Sequence, residues 1–144
     1  MMPGQEPSAY DSARILLVED DPNDQRFLRR ALEKTGRRIV LKVAHDGESA
    51  LEYLAGFSAG GENPDMLLVL SDIHLPGRSG WDVLEWIRRH PHLSTLPVLL
   101  WTSLPTPEGA ERARCLGARR YLSKPRSLDG YSTVATALLS ILGD

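Results

Sequence analysis

The chain has 144 residues, 42% apolar and 25% charged, with a formal net charge of -2. That length suits one domain with its own core and excludes two comfortable ones, and the charge balance carries no polybasic signal for nucleic acid or anionic lipid. A single cysteine, Cys115, excludes an internal disulfide, no apolar run reaches the length of a membrane span, and MMPGQEPSAYDSA is no signal peptide, so we expect a cytoplasmic chain with a disordered tail at 1–13 and one domain at 14–144.

In chain order, RILLV (14–18) reads as a strand buried on both faces. Pro22 to Thr35 reads as a helix, with Asp21 as N-cap, Pro22 at the first helical position and Gly36 just past the end. Ile39 to Val43 is a second strand. Asp46 caps a helix through GESALEYLA, which Gly56 should stop, and FSAGGENPD follows as a long loop. Met66 to Ser71 is a third buried strand, HLPGRSG a loop, and WDVLEWIRRH a helix capped by Ser79. Pro97 to Trp101 is a fourth strand, Thr106-Pro107 opens a short helix ending at Gly117, Arg119 to Ser123 is a fifth strand, and Ser127 to Leu142 is the last helix. Continuous apolar strands alternating with helices predict an α/β chain whose parallel sheet is covered on both faces.

Ligands of such sheets bind beyond the carboxyl ends of the strands. Glu19 and Asp20 follow the first strand, Asp72 the third, Thr102 and Ser103 the fourth, and Lys124-Pro125 the fifth. Nothing chemical follows the second, which suits an edge. Carboxylates do not cluster at the end of a buried strand without a partner, because they repel one another and resist desolvation. With no histidine or cysteine at ligand spacing, they favour a hard divalent cation, Mg²⁺ above all. A hydroxyl and an ammonium opposite would hold phosphate oxygens, and a carboxylate can itself be the phosphoryl acceptor. Only three lysines stand among the 17 basic side chains, and one of them is Lys124.

Glu19-Asp20 after a buried strand, Asp72 with LPGRSG behind it, Thr102-Ser103, Tyr121 and Lys124-Pro125 together resemble the receiver domain of bacterial response regulators. The resemblance runs from Arg14 to the C-terminus. It implies a doubly wound, flavodoxin-like (βα)5 fold of strand order 2-1-3-4-5. It implies that Asp72 accepts a phosphoryl group from a sensor histidine kinase, and that Asp20, Glu19, Asp72 and the backbone carbonyl of His74 hold Mg²⁺. Thr102 and Lys124 would contact the phosphoryl oxygens, and Tyr121 would be an aromatic switch that turns inward as Thr102 is drawn toward them. The chain would then be a phosphoacceptor, not an enzyme in the ordinary sense. The long glycine-containing segment before the third strand resembles stand-alone receivers that partner phytochrome-type kinases. Many members carry a DNA-binding domain; since this chain stops after the fifth helix, we expect no direct action on DNA.

Other readings stay open at this point. A receiver-fold interaction module without phosphorylation would share the fold. An aspartate-nucleophile phosphatase would want a second Asp two residues after its nucleophile, where this chain has His74. Asp21 reads as a helix cap, Trp101 as core, and the Arg29-Arg30, Arg37-Arg38 and Arg119-Arg120 pairs as solvated surface.

The last helix suggests a homodimer. Its apolar residues, from Leu128 to Leu142, fill an arc of roughly 160°, wider than the stripe of about 100° needed to dock on one sheet. Its opposite face is small and polar, and charge depletion marks interface cores. A downstream protein partner is expected as well, because the signal must leave through a surface near Thr102 and Tyr121.

Overall fold

A computed structural model describes residues 13–58 and 67–143. Ten elements alternate: β1 (Ala13–Val18), α1 (Pro22–Lys34), β2 (Ile39–Ala44), α2 (Gly47–Ser58), β3 (Leu67–Asp72), α3 (Gly80–Arg89), β4 (Val98–Thr102), α4 (Pro107–Cys115), β5 (Arg120–Ser123) and α5 (Leu128–Leu142). All strands run parallel in the order β2-β1-β3-β4-β5. This is the doubly wound receiver arrangement, with β2 at the edge.

Successive strand residues point to opposite faces, so each buried strand feeds two cores. Ile15, Leu17, Leu68, Leu70, Leu99 and Trp101 pack against α1 and α5. Leu16, Val18, Leu67, Val69, Val98 and Leu100 pack against α2, α3 and α4. The helix starts follow the expected chemistry. Asp21 caps α1 through a 2.8 Å bond from the Asn23 N–H, and Ser79 and Asp82 form a reciprocal capping box on α3.

Several boundaries differ from the sequence reading. β1 opens at Ala13, paired with Ile39, one residue before the expected Arg14; the rest of the expected tail, 1–12, lies outside the described residues. α2 runs through Gly56 to Ser58. A mid-helix glycine costs about 1 kcal/mol, whereas burying the Phe57 ring, 4% exposed, returns about 2 kcal/mol. The rest of the expected long loop, 59–65, and Met66, expected to open the third strand, also lie outside the described residues. Asp72 and Thr102 are the last residues of β3 and β4 and do not follow them: each stands in register with a neighbour, Trp101 and Ser123 respectively.

The Gly56 finding has a testable corollary. A Cβ at Gly56 would meet nothing within 4 Å. Gly56→Ala should therefore stabilise the chain by about 0.5–1 kcal/mol. A urea midpoint that falls would show that this helical turn is not formed in solution.

The broad apolar arc of α5 also has an explanation. The helix packs on the sheet and on α1 at once, with Tyr131 against Phe27 at 5.4 Å between ring centroids. Ile141 and Leu142 join the same core, and Leu128 alone is largely exposed. The outward face is Ser132, Thr133, Thr136 and Ser140, with the two threonine hydroxyls donating to the carbonyls of Asp129 and Ser132.

Candidate functional site

The carboxyl ends of β1, β3, β4 and β5 meet at one rim. The chain leaves β1 toward β2 on one side and returns to β3 on the other, which opens the crevice where such sheets bind ligands. Lys124 lies at its centre. Its Nζ is 2.9 Å from Glu19 Oε1, 3.0 Å from Asp72 Oδ2 and 3.0 Å from Asp24 Oδ2. Its backbone N–H donates to the Thr102 carbonyl at 2.8 Å, which fixes the segment after β5 to the end of β4.

Asp24 was not expected here. In the sequence it is one of many charges on the first helix, but it is buried, and its Oδ1 accepts a 2.6 Å bond from the Tyr131 hydroxyl. Its spacing carried the signal. Asp24, Leu28, Ala31 and Leu32 follow the i, i+4, i+7, i+8 pattern of an inward stripe, and all four are buried.

The other expected residues take distinct positions. Asp20 is exposed, whereas Glu19 is fully buried; the Glu19 Oε2 accepts from the Asp21 N–H. Asp72 Oδ1 accepts from the His74 N–H at 3.1 Å, and the His74 side chain is exposed. Thr102 is buried, with its Oγ1 accepting from the Leu104 N–H. Tyr121 is half-buried over the start of α4, where its hydroxyl accepts from the Thr106 N–H at 3.0 Å. Gly109 makes that seat possible, since a Cβ there would lie 2.3 Å from the tyrosine oxygen. Gly80 packs close to the end of β3: its N–H donates to the Ile73 carbonyl, and an added Cβ would run into the Asp72 carbonyl oxygen.

The family model of the response regulator receiver domain matches residues 15–134. The chain belongs to this family. The receiver is 35% identical over 114 residues to a probable cyclic di-GMP phosphodiesterase of Vibrio cholerae; that match covers 79% of this chain and only 24% of the relative's length. It is 31% identical over 114 residues to the response regulator Rcp1 of Synechocystis, covering 79% of this chain and 78% of that one. The Mn(2+)-bound form of Rcp1 superposes with a TM-score of 0.75 over 88% of this receiver and 91% of that chain. The phosphorylated cyanobacterial phytochrome response regulator RcpA gives a TM-score of 0.77 at 26% identity over 88% and 91%. No described helix of the receiver is long and apolar enough to cross a membrane.

Electrostatics bear on whether a metal fits. Carboxylate oxygens of Glu19, Asp20 and Asp72 all lie within 4.8 Å of one another. Glu19 Oε1 is at ion-pair distance from Lys124 but lies off the donor axis, so this fully buried oxygen has no aligned hydrogen bond. A buried oxygen in that condition, inside an all-oxygen cluster, fits a hard divalent cation. Burial pushes the Glu19 carboxyl up to about 7, against the pull of Lys124 and with help from the Asp72 charge. Burial alone would lower the Lys124 ammonium, but its carboxylate partners outweigh that and hold it above the ordinary lysine range.

A pH dependence follows. An unfolded glutamate releases its proton near 4.5, whereas Glu19 in the fold keeps it to about 7. Across that window the unfolded chain binds fewer protons, so the metal-free fold should lose stability as pH rises, by about 3 kcal/mol in all, and level off above. A divalent cation takes the proton's place, so its apparent affinity should climb through the same window and then flatten. Urea melts and calorimetric Mg²⁺ titrations between pH 5 and 8 would read both slopes, and Glu19→Gln should remove them. Stability that stays flat from pH 5 to 7 would show that Glu19 is ionised throughout.

Proposed function

We propose that this receiver is switched by divalent-cation-dependent phosphorylation of Asp72, taken from a phosphohistidine on a sensor kinase, and that it signals through protein contacts. The observation that carries this reading is the single ammonium of Lys124 held between Asp72 and the buried carboxylate of Glu19. One Asp72 carboxylate oxygen attacks phosphorus as the P–N bond breaks. The electron pair stays on the ring nitrogen, and the histidine, protonated on its other nitrogen, leaves as neutral imidazole. Glu19, Asp20, Asp72 and the His74 carbonyl would hold Mg²⁺, which offsets repulsion between the carboxylates and the incoming phosphoryl group. Lys124 passes a hydrogen bond from Asp72 Oδ2 to a phosphoryl oxygen, and the Thr102 hydroxyl donates to another. As Thr102 shifts, the loop through Leu104 to Thr106 moves with it, and Tyr121 loses the N–H that seats its hydroxyl. The receiver is a phosphoacceptor in this scheme, and its likeness to RcpA motivates a phytochrome-type kinase as donor.

Intact mass after incubation with acetyl phosphate and Mg²⁺ tests the reading. One phosphoryl group should be added to wild type, and none with EDTA or in Asp72→Asn. A gain of equal size in Asp72→Asn would place the acceptor elsewhere.

We further infer self-association through the charge-poor outer face of α5. Isologous pairing about a two-fold axis is the commonest arrangement for such a face. Light scattering over a concentration series should show a dimer that Ala137→Glu plus Thr133→Arg abolishes. A wild type that stays monomeric throughout, phosphorylated or not, would leave α5 as a cover for the sheet and α1 only.

A further inference from the structure

We propose that Asp24 is a positioning residue for Lys124, held in turn by Tyr131, so that the lysine serving the phosphoryl group is aimed from the α1–α5 side of the sheet. The inference rests on the reading of Asp72 as phosphoryl acceptor. The ammonium donates to Asp24 and Asp72 at 3.0 Å each, while Glu19 Oε1 stands at ion-pair distance, 2.9 Å, off the donor axis. Two of those carboxylates have other work. Glu19 and Asp72 belong with Asp20 to the oxygen cluster that can hold a cation. Asp24 is tied to that cluster only through the lysine. It neither joins that cluster nor stands where phosphorus would be attacked, so its contact with Nζ survives when the contact with Asp72 passes to a phosphoryl oxygen.

Tyr131 makes Asp24 a fixed point. Its hydroxyl donates to Asp24 Oδ1 at 2.6 Å, a short charge-assisted bond, while Lys124 takes Oδ2. The tyrosine ring is itself wedged between Phe27 and Trp101, at 5.4 and 6.3 Å between centroids. Packing alone does not account for the carboxylate. Asp24 shares its stripe with Leu28, Ala31 and Leu32, and at such a position an apolar residue stabilises at least as well as a desolvated charge. The group is therefore placed for what it does to the lysine.

The test uses the full chain as wild type, Asp24→Asn, Tyr131→Phe, Lys124→Ala and the Asp24→Asn/Lys124→Ala pair. Two readouts are taken: the initial rate of phosphoryl uptake from acetyl phosphate with Mg²⁺, and the ¹⁵Nζ resonance of Lys124 in metal-free protein. Misaiming a reacting group by a fraction of an ångström should slow uptake about tenfold in Asp24→Asn and about threefold in Tyr131→Phe. The double variant should be no slower than Lys124→Ala, and Asp24→Asn and Tyr131→Phe should each shift the ammonium resonance. An Asp24→Asn effect that persists undiminished without Lys124 would mean that Asp24 acts on the fold and overturn the inference, as would an unmoved ammonium resonance. If wild type takes up no phosphoryl group, the proposed function fails instead, and the resonance alone decides whether Asp24 positions the lysine.

Discussion

Lys124→Met should cost the metal-free protein about 3–5 kcal/mol, because it strands buried carboxylates whose shared cation is gone. Glu19 is fully buried and Asp24 and Asp72 nearly so, and all three meet at the lysine. Protonation of Glu19 softens the loss below neutral pH, so the deficit should be largest above about 7. Mg²⁺ should restore much of it, since a second cation becomes available to Glu19 and Asp72. Lys124→Arg should not substitute: a flat guanidinium fork cannot present one point charge to three converging oxygens. Urea unfolding at pH 8 with EDTA and with Mg²⁺ measures both terms. A loss below about 1 kcal/mol in EDTA would show that these carboxylates are hydrated in solution rather than paired.

Gly80→Ala should be nearly as damaging, for a steric reason. A Cβ at Gly80 would stand 2.3 Å from the Asp72 carbonyl oxygen and 2.9 Å from the Ile73 Cα, and both are backbone atoms that cannot rotate away. Either α3 or the end of β3 must move, at a cost of about 2–4 kcal/mol, which lowers Tm by roughly 10 °C in a domain of this size. The displaced strand end is the one that carries Asp72, so phosphoryl uptake should fall with stability. Gly56→Ala is the matched control, the same atoms added to a helix where nothing stands nearby. A Gly80→Ala protein that melts like wild type would mean that the loop of residues 74–79 yields easily.

Much of this was legible in the sequence, because patterning and site chemistry reinforce each other. Unbroken apolar runs of four or five residues bounded by turn signals, as at 15–18, 66–70 and 98–101, read as strands covered on both faces, and the order of the strands along the chain showed which ends would carry Glu19, Asp20, Asp72, Thr102 and Lys124. What escaped was decided by tertiary contact. Asp24 did not stand out because α1 carries so many charges; its place in the buried stripe was visible only by weighting Leu28, Ala31 and Leu32 over composition. Gly56 read as a stop because propensity speaks for one residue, while the burial of Phe57 beyond it decides the turn. The width of the α5 arc read as a surface left over for a partner, but α1 uses it.

Trp101 is the largest fully buried side chain on the sheet, its indole N–H has no hydrogen-bond partner, and the Lys124 ammonium stands 5.5 Å from its ring centroid. The other two tryptophans, Trp81 and Trp86, are half-buried on α3, and Trp86 is stacked on His90. An indole in a dry apolar setting emits toward the blue, and its brightness responds to a charge at its face. The molecule thus carries its own optical gauge of where that ammonium stands. In a chain with Trp81 and Trp86 changed to phenylalanine, cation binding and phosphoryl transfer could be followed by intrinsic fluorescence, with no label attached.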